Sequence, residues 1–382
     1  MSKGERLVGN YHRQREQEWG GCTVMCAVGS ATGDGRAIAV KNRDVAITSA
    51  PEIVILANSP GNNKYLGIAS VENPANLTLA MNDKGVIINM AGRYCLESDN
   101  PGVNSGVVIS RSIRLAGSGK ELADIVKEIV THEGKSKNGT AFTCLDAGEA
   151  YIVEAYQKKV EISGPLKDTL FTYGNYMLTE AMKPYEKRSR GRKRAKRALD
   201  LMETQRGGVT VPFMMTVCRD HERPPDASRR WDDNNICTHG SVMDTRGSGI
   251  CVADRKHPAL LSALWAALNL PCRTPYLPFY IGMTSVPEGF ATAQAYETFE
   301  SLGEALGKVP ALQPEVRQYW EAFELQTLRE AGIMEDQARK LIESGKAAEA
   351  AELLTQFAAA KAKKALTDAA KLTKKILRRS IM

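Results

Sequence analysis

No apolar run in this 382-residue sequence reaches the roughly 20 residues that a helix needs to cross a bilayer, which argues against a helical membrane span. The opening stretch, Met1–Trp19, is polar and charged and has no apolar centre, so it does not read as a secretory signal and the expected location is the cytoplasm. The eight cysteines, at positions 22, 26, 95, 144, 218, 237, 251 and 272, include no tight CxxC pair. In a long chain without a signal this argues against a disulfide framework, and most of them read as small buried hydrophobes. No repeat period points to a solenoid. Aromatic residues make up only 6% of the chain, and none interleave its strongest basic run, Lys187–Arg197. A nucleic-acid groove combines charge with stacking residues, so no nucleic-acid partner is expected.

What is present is material for a large core, with 43% hydrophobic residues and a length that suits one large domain plus an appendage, or two domains. The net charge of +7 is local rather than general. Eight basic residues and no acid fall within Lys187–Arg197, and eight more against Asp368 alone within Lys361–Met382, so the remainder of the chain is net acidic. The first run reads as the solvated face of a helix. The second belongs to a Lys-rich helix with Leu372 and Ile376 on one side, which reads as packing on the body or on a second subunit rather than on a membrane; a homo-oligomer is left open.

Short strands separated by turns occupy the chain from Cys22 to about Asn89: Thr23–Val28, Ala37–Val40, Glu52–Ala57, Tyr65–Val71, Leu77–Met81 and Val86–Met90. Two helices follow near Ser105–Ala116 and Lys120–Thr131, the second with Leu122, Ile125, Val126, Ile129 and Val130 at helical spacing. Strands return at Thr140–Leu145, Ala150–Ala155, Val160–Ile162 and Thr169–Tyr173. A basic helix is expected between Glu186 and Gln205, a strand over Val209–Val217, a polar loop over Cys218–Gly240 and a short strand at Ile250–Ala253. Leu260–Leu268 reads as a helix, Pro271–Pro278 as an extended crossing, and nearly everything from Ala291 onward as helix. Strands, a helix pair and strands again suggest an α+β arrangement of two sheets with helices outside.

The stretch Gly20–Asp44 organises the chemistry. Gly20-Gly21-Cys22-Thr23 puts an unhindered peptide bond before a candidate nucleophile. The Gly33-Asp34-Gly35 turn folds the next strand back beside the first, bringing Lys41-Asn42-Arg43-Asp44 toward Cys22. A free cysteine thiol has a pKa of about 8.5 and needs a base or a positive charge nearby. An N-terminal cysteine carries such a base in its own α-amino group, with a pKa near 7.7–8.0. Cys218, His221, Cys237 and His239 offer thiolate and imidazole groups. Their spacing is irregular, and a Cys-x-His pair leaves little room for both to reach one ion, so they read as a pocket rim rather than a metal centre.

These stretches, in this order, resemble the N-terminal nucleophile (Ntn) cysteine hydrolases, in particular the penicillin acyltransferase-like and dipeptidase-like branches acting on linear amides. The resemblance runs from Cys22 to near the end, in short motifs. Lys41-Asn42-Arg43-Asp44 is similar to the family's basic-Asn-any-Asp motif, and Met81-Asn82-Asp83-Lys84-Gly85-Val86 to its turn before a pocket strand that would carry Asn89. Tyr173-Gly174-Asn175-Tyr176 stands where the family has a Thr-Asn-His-like stretch, departing from it at Gly174 and Tyr176. Arg219-Asp220-His221-Glu222 and Asn235-Ile236-Cys237-Thr238-His239-Gly240 resemble its Arg-Asp-His and Ile-Cys-Arg-His-Gly stretches. Thr238 replaces the usual Arg of the latter, for which Arg229 or Arg230 is a candidate substitute. Pro278-Phe279-Tyr280-Ile281-Gly282-Met283-Thr284 resembles a segment of the dipeptidase-like branch.

The resemblance implies a four-layer αββα Ntn sandwich over residues 22–290, a helical C-terminal extension over 291–382, and a pro-segment, 1–21, cut off between Gly21 and Cys22. It implies Cys22 as nucleophile and its amine as base, Lys41 beside the active site, Asp44 holding the new amine and Asn175 in the oxyanion hole. Asn89, His221 and His239 would serve substrate binding. The expected function is hydrolysis or acyl transfer on a linear amide of a small molecule or peptide, with no metal and no organic cofactor. A dipeptidase, or an inactive binding protein on the same fold, is the alternative.

Overall fold

Residues 21–96, 102–135, 138–223 and 234–380 are described by the computed structural model. In chain order the elements are β1 (Gly21–Ala27), β2 (Ile38–Ala46), β3 (Glu52–Ala57), β4 (Tyr65–Ser70), β5 (Asn73–Asn82) and β6 (Ile87–Cys95), then α1 (Ser105–Ser112) and α2 (Gly119–Glu133). There follow β7 (Gly139–Leu145), β8 (Ala150–Tyr156), β9 (Lys159–Leu166), β10 (Leu170–Tyr173), β11 (Glu186–Arg188), α3 (Arg192–Glu203) and α4 (Val211–Cys218). The rest is β12 (Met243–Val252), α5 (Pro258–Leu261), β13 (Ala263–Ala267), β14 (Leu277–Tyr280), α6 (Gln294–Lys308), α7 (Gln313–Glu343) and α8 (Ala347–Arg379).

Local chemistry sets several of these boundaries. Asp34 Oδ1 accepts from the Arg36 amide at 3.0 Å and Gly35 takes φ +70°, the tight turn that returns β2 antiparallel to β1. Ser118 caps α2 by accepting from the Glu121 amide, while the Glu121 carboxylate reaches back to the Gly117 amide at 2.7 Å.

The strands form two antiparallel sheets, one ordered β10-β1-β2-β12-β13-β14 and the other β3-β4-β5-β6-β7-β8-β9, with β11 on β6. Val24, Val40 and Ile250 of the first sheet share a core with Leu66, Ile68, Leu79 and Ile87 of the second, so the sheets face each other. Gly249 permits that approach: a Cβ there would stand 2.6 Å from Leu79 Cδ2. Val108, Ile109, Leu122 and Val126 of α1 and α2 cover the far face of the second sheet, against Ala80, Phe142 and Val153. Ala198 and Met202 of α3 and Met214 of α4 pack into the core of the first. The fold is thus mixed helix and sheet, with two antiparallel sheets stacked and helices outside.

Two elements differ from what the sequence suggests. Val209–Val217, with strand-like composition, is mostly the helix α4, because Thr210 accepts from the Phe213 amide and Pro212 sits in the first turn. Leu260–Leu268, read as a helix, is mostly the strand β13; all five of its residues are buried between β12 and β14. A short apolar run has no periodicity to separate helix from buried strand, and sheet pairing decided it.

The C-terminal helices share the first sheet's core through Phe299, Trp320, Met334 and Ala365. Polar ties join them to it: Tyr280 donates to Glu335 at 2.7 Å, and Arg219 Nη1 to Glu324 Oε2 at 2.7 Å. Lysines of the basic C-terminal run pair with acids on α7, Lys361 with Glu330 and Lys375 with Glu315. Among the described residues, no helix is long and apolar enough to cross a membrane.

Candidate active site

The β1–β2 register sets the site. Cys22 pairs with Arg43, Gly21 with Asp44, Thr23 with Asn42 and Val24 with Lys41. Opposed residues share a face and successive ones alternate, so Cys22, Lys41 and Arg43 project from one face of the sheet and Asn42 and Asp44 from the other. The four-residue motif thus serves two sides at once.

On the Cys22 face, Lys41 is almost wholly buried, and its ammonium reaches Thr78 O at 3.4 Å. Burial lowers its pKa below the ordinary lysine value; the neighbouring Cys22 thiol and Glu52 act the other way. Arg43 pairs with Glu52 at 3.2 Å, and burial raises the Glu52 carboxyl despite the charges of Arg43 and Lys41. Lys41, Arg43, Glu52, Thr78 and Ser248 line a narrow crevice between the sheets.

On the other face, Asp44 is fully buried. It pairs with Arg194 at 3.1 Å and accepts from Thr245 Oγ1 at 2.7 Å. Arg194 Nη2 also donates to Asn175 Oδ1 at 3.3 Å, and that oxygen accepts from the Cys22 backbone nitrogen at 2.9 Å. Asn175 Nδ2 donates one hydrogen to Gly92 O at 2.9 Å, which leaves its second N–H for another acceptor. Arg93 and Glu154 hold the segment around it: Arg93 donates to Gly174 O, and Glu154 accepts from the amides of Leu178 and Thr179, both at 2.8 Å. Gly21 touches the ion pair closely, since a Cβ there would lie 3.1 Å from both Asp44 Oδ2 and Arg194 Nη2. Tyr94 lies within electrostatic reach of Cys22 and Asp44, its phenol pushed up to about 12, chiefly by burial.

The structure therefore brings Gly21, Cys22, Lys41, Asp44 and Asn175 together. Asn89 lies elsewhere: it is fully buried, donates to Val40 O at 3.2 Å, and acts on the Cys26 thiol rather than on Cys22. Expected in the substrate pocket, it ties the two sheets. Asn82 is a turn residue, accepting from the amides of Lys84 and Val86 and donating to the carbonyls of Ile113 and Ala116. Asn42 donates to Cys218 O at 2.9 Å and Ile236 O at 3.0 Å, anchoring both loop segments to β2. His221 and His239 contact each other, Nε2 to Nε2, at 3.2 Å, and Cys237 and Cys272 rather than a substrate crevice surround His239. Cys237 and His239 do converge, at 3.6 Å, contrary to the expectation that their spacing keeps them apart. Thr238 is buried, its amide donating to Thr245 Oγ1 at 2.8 Å. Arg229 and Arg230 and the segment 1–20 lie outside the described residues.

Arg194 is the main residue that sequence reasoning missed. Within a run read as a solvated helix face it is almost wholly buried. The signal was there: it precedes Ala198 by four positions and Met202 by eight, on the apolar stripe of α3. Thr245 had no such signal, because only the pairing of β2 with β12 brings it to Asp44.

No protein-family model and no curated protein matches the sequence. Among solved structures the chain is similar to a penicillin V acylase from Agrobacterium tumefaciens, with TM-score 0.42 and 13% identity over 68% of this chain and 85% of that one. It is also similar to a mutant form of conjugated bile acid hydrolase from Clostridium perfringens, with TM-score 0.45 and 10% identity over 68% of this chain and 92% of that one. The structural neighbours are Ntn cysteine hydrolases of the linear-amide branch, the family that the sequence motifs resemble.

Proposed function

We propose that this protein is a self-processing N-terminal-cysteine hydrolase or acyltransferase acting on a linear amide bond. The observation that carries the reading is the apparatus gathered around one backbone nitrogen. Asn175 Oδ1 holds the Cys22 nitrogen at 2.9 Å, with the buried Arg194–Asp44 pair against Gly21. A nitrogen that becomes a catalytic amine is served by such an arrangement of acceptor and buried ion pair.

In processing, the Cys22 sulfur attacks the Gly21 carbonyl carbon, the peptide C–N bond breaks, and the freed nitrogen takes the proton as the α-amine. Water then hydrolyses the thioester and releases the segment ending at Gly21. In turnover the thiol gives its proton to that amine as sulfur attacks the substrate carbonyl, and the amine passes the proton to the leaving nitrogen. Lys41 stands beside the Cys22 thiol. Asp44, with Arg194, holds the amine, and the second N–H of Asn175 donates to the oxyanion. The thioester then passes its acyl group to water or to an amine.

Intact-mass spectrometry with N-terminal sequencing tests this on the wild type beside Cys22→Ala. Loss of the segment before Cys22 in the wild type alone is the expected result. Retention of that segment by both proteins, with no turnover of an amide library, would leave a binding protein on this fold.

A further inference from the structure

We propose that His221, Cys237, His239 and Cys272 form a structural Zn²⁺ site that fixes the segment behind Asp44. The four come from three separate places: the turn after α4, the approach to β12, and the turn between β13 and β14. Their ligand atoms all lie within 4.8 Å of one another. His221 Nε2 and His239 Nε2 are 3.2 Å apart, and His239 Nε2 is 3.3 Å from Cys272 Sγ and 3.6 Å from Cys237 Sγ. A tetrahedron with Zn–S of about 2.3 Å and Zn–N of about 2.0–2.1 Å has N–N edges of about 3.3 Å and N–S edges of about 3.6 Å. The three separations measured at His239 Nε2 are those edges to within a few tenths of an ångström.

A single hydrogen bond at His239 Nε2 does not account for its contacts. A neutral imidazole Nε2 carries either one hydrogen or one lone pair, yet His239 Nε2 has three neighbours at contact distance. A cation at the centre gives all four atoms one shared partner. Two thiolates and two imidazoles suit Zn²⁺ rather than Mg²⁺ or Ca²⁺, and four protein ligands leave no open position for water. The site is therefore structural. Cys237, His239 and Cys272 are buried and His221 partly so, as a closed site requires.

The scaffold is built around it. Arg219 donates to Pro271 O at 2.6 Å and Thr274 O at 3.1 Å, clamping the His221 turn to the Cys272 turn. Asp220 O accepts from the Cys237 amide at 3.2 Å. Thr238, between two of the ligands, donates its amide to Thr245 Oγ1, which itself donates to Asp44 Oδ1. A metal holding Cys237 and His239 holds Thr238, and through Thr245 it positions Asp44; this last consequence rests on the function proposed above.

The test is metal analysis of the full chain purified without chelator. One zinc per chain is expected, with at least a tenfold loss in Cys272→Ser and in His221→Ala and none in His257→Ala. Should a cluster variant fail to fold, titration of the metal-stripped wild type with Co²⁺ decides. Tetrahedral d–d bands with a thiolate-to-cobalt charge-transfer band support the site. Failure to bind Co²⁺, a spectrum without charge transfer, zinc unchanged in Cys272→Ser, or a Cys237–Cys272 disulfide in the purified protein overturns it. Zinc content is read independently of turnover, so zinc without maturation of Cys22 sinks the functional reading alone, and maturation without zinc sinks the metal site alone.

Discussion

The two sheets are built from the same kind of alternating strand, yet they use their buried polar side chains differently. In the eight-stranded sheet Asn82 and Glu154 chiefly answer backbone. Asn82 is saturated by two amides and two carbonyls, and Glu154 accepts from the amides of Leu178 and Thr179. Around Cys22 in the six-stranded sheet, side chains also meet one another: Lys41 lies beside Cys22, and Asp44 pairs with Arg194 and Thr245. A side chain closed onto backbone fixes a loop and has nothing left to give. One held by other ionisable side chains keeps a proton or charge in play, so chemistry is expected at the Cys22 end.

The sharpest break of that contrast is Cys22→Ala, which is expected to abolish maturation, read by intact mass, and turnover of amides while the fold persists. Next is Arg194→Met, which strands a buried carboxylate. It should cost about 3–5 kcal/mol in denaturant unfolding and abolish maturation, with Asp44→Asn on the same background restoring part of the stability but none of the processing. If Arg194→Met matured normally, the ion pair would be structural only. Asn175→Ala is expected to lower kcat by about 10²–10³-fold with a smaller effect on KM, as loss of an oxyanion donor does. Across the molecule, Asn82→Ala should cost about 2–3 kcal/mol by orphaning buried amides and carbonyls, and leave kcat of the folded enzyme unchanged. A changed kcat there would dissolve the division between the sheets.

The smallest effect concerns Lys135, beside the second sheet, whose ammonium burial lowers to a pKa of about 8. Below pH 8 both folded and unfolded chains are protonated, and the folded one carries the full cost of the buried charge. As pH rises from about 8 toward the unfolded value near 10.4, the folded chain loses its proton first and that cost fades. Lys135→Met is therefore expected to raise stability by about 1–2 kcal/mol at pH 7, the gain vanishing above about pH 10 in paired denaturant titrations. A gain constant across that range would trace it to packing instead of charge.

Much of the site was legible because its central piece is local. The Gly33-Asp34-Gly35 turn fixes the β1–β2 hairpin, and strand alternation then places Lys41 with Cys22 and Asp44 on the opposite face. What was not legible depends on contacts made far along the chain. Nothing near Arg194 states that its partner is Asp44, and nothing near Cys272 states that it, rather than Cys218, completes the group at His239. The same cause turned Leu260–Leu268 from an expected helix into mostly strand, because an apolar run of that length takes its conformation from its neighbours.

By itself, the sequence determined the elements whose signals lie within a few residues: the hairpin, the amphipathic helix α2, the C-terminal helices and the polar motif on β2. Tertiary structure alone decided which buried charges face each other, because an uncompensated charge in the core is tolerated only where the fold delivers its partner, and that partner is encoded by topology rather than by spacing.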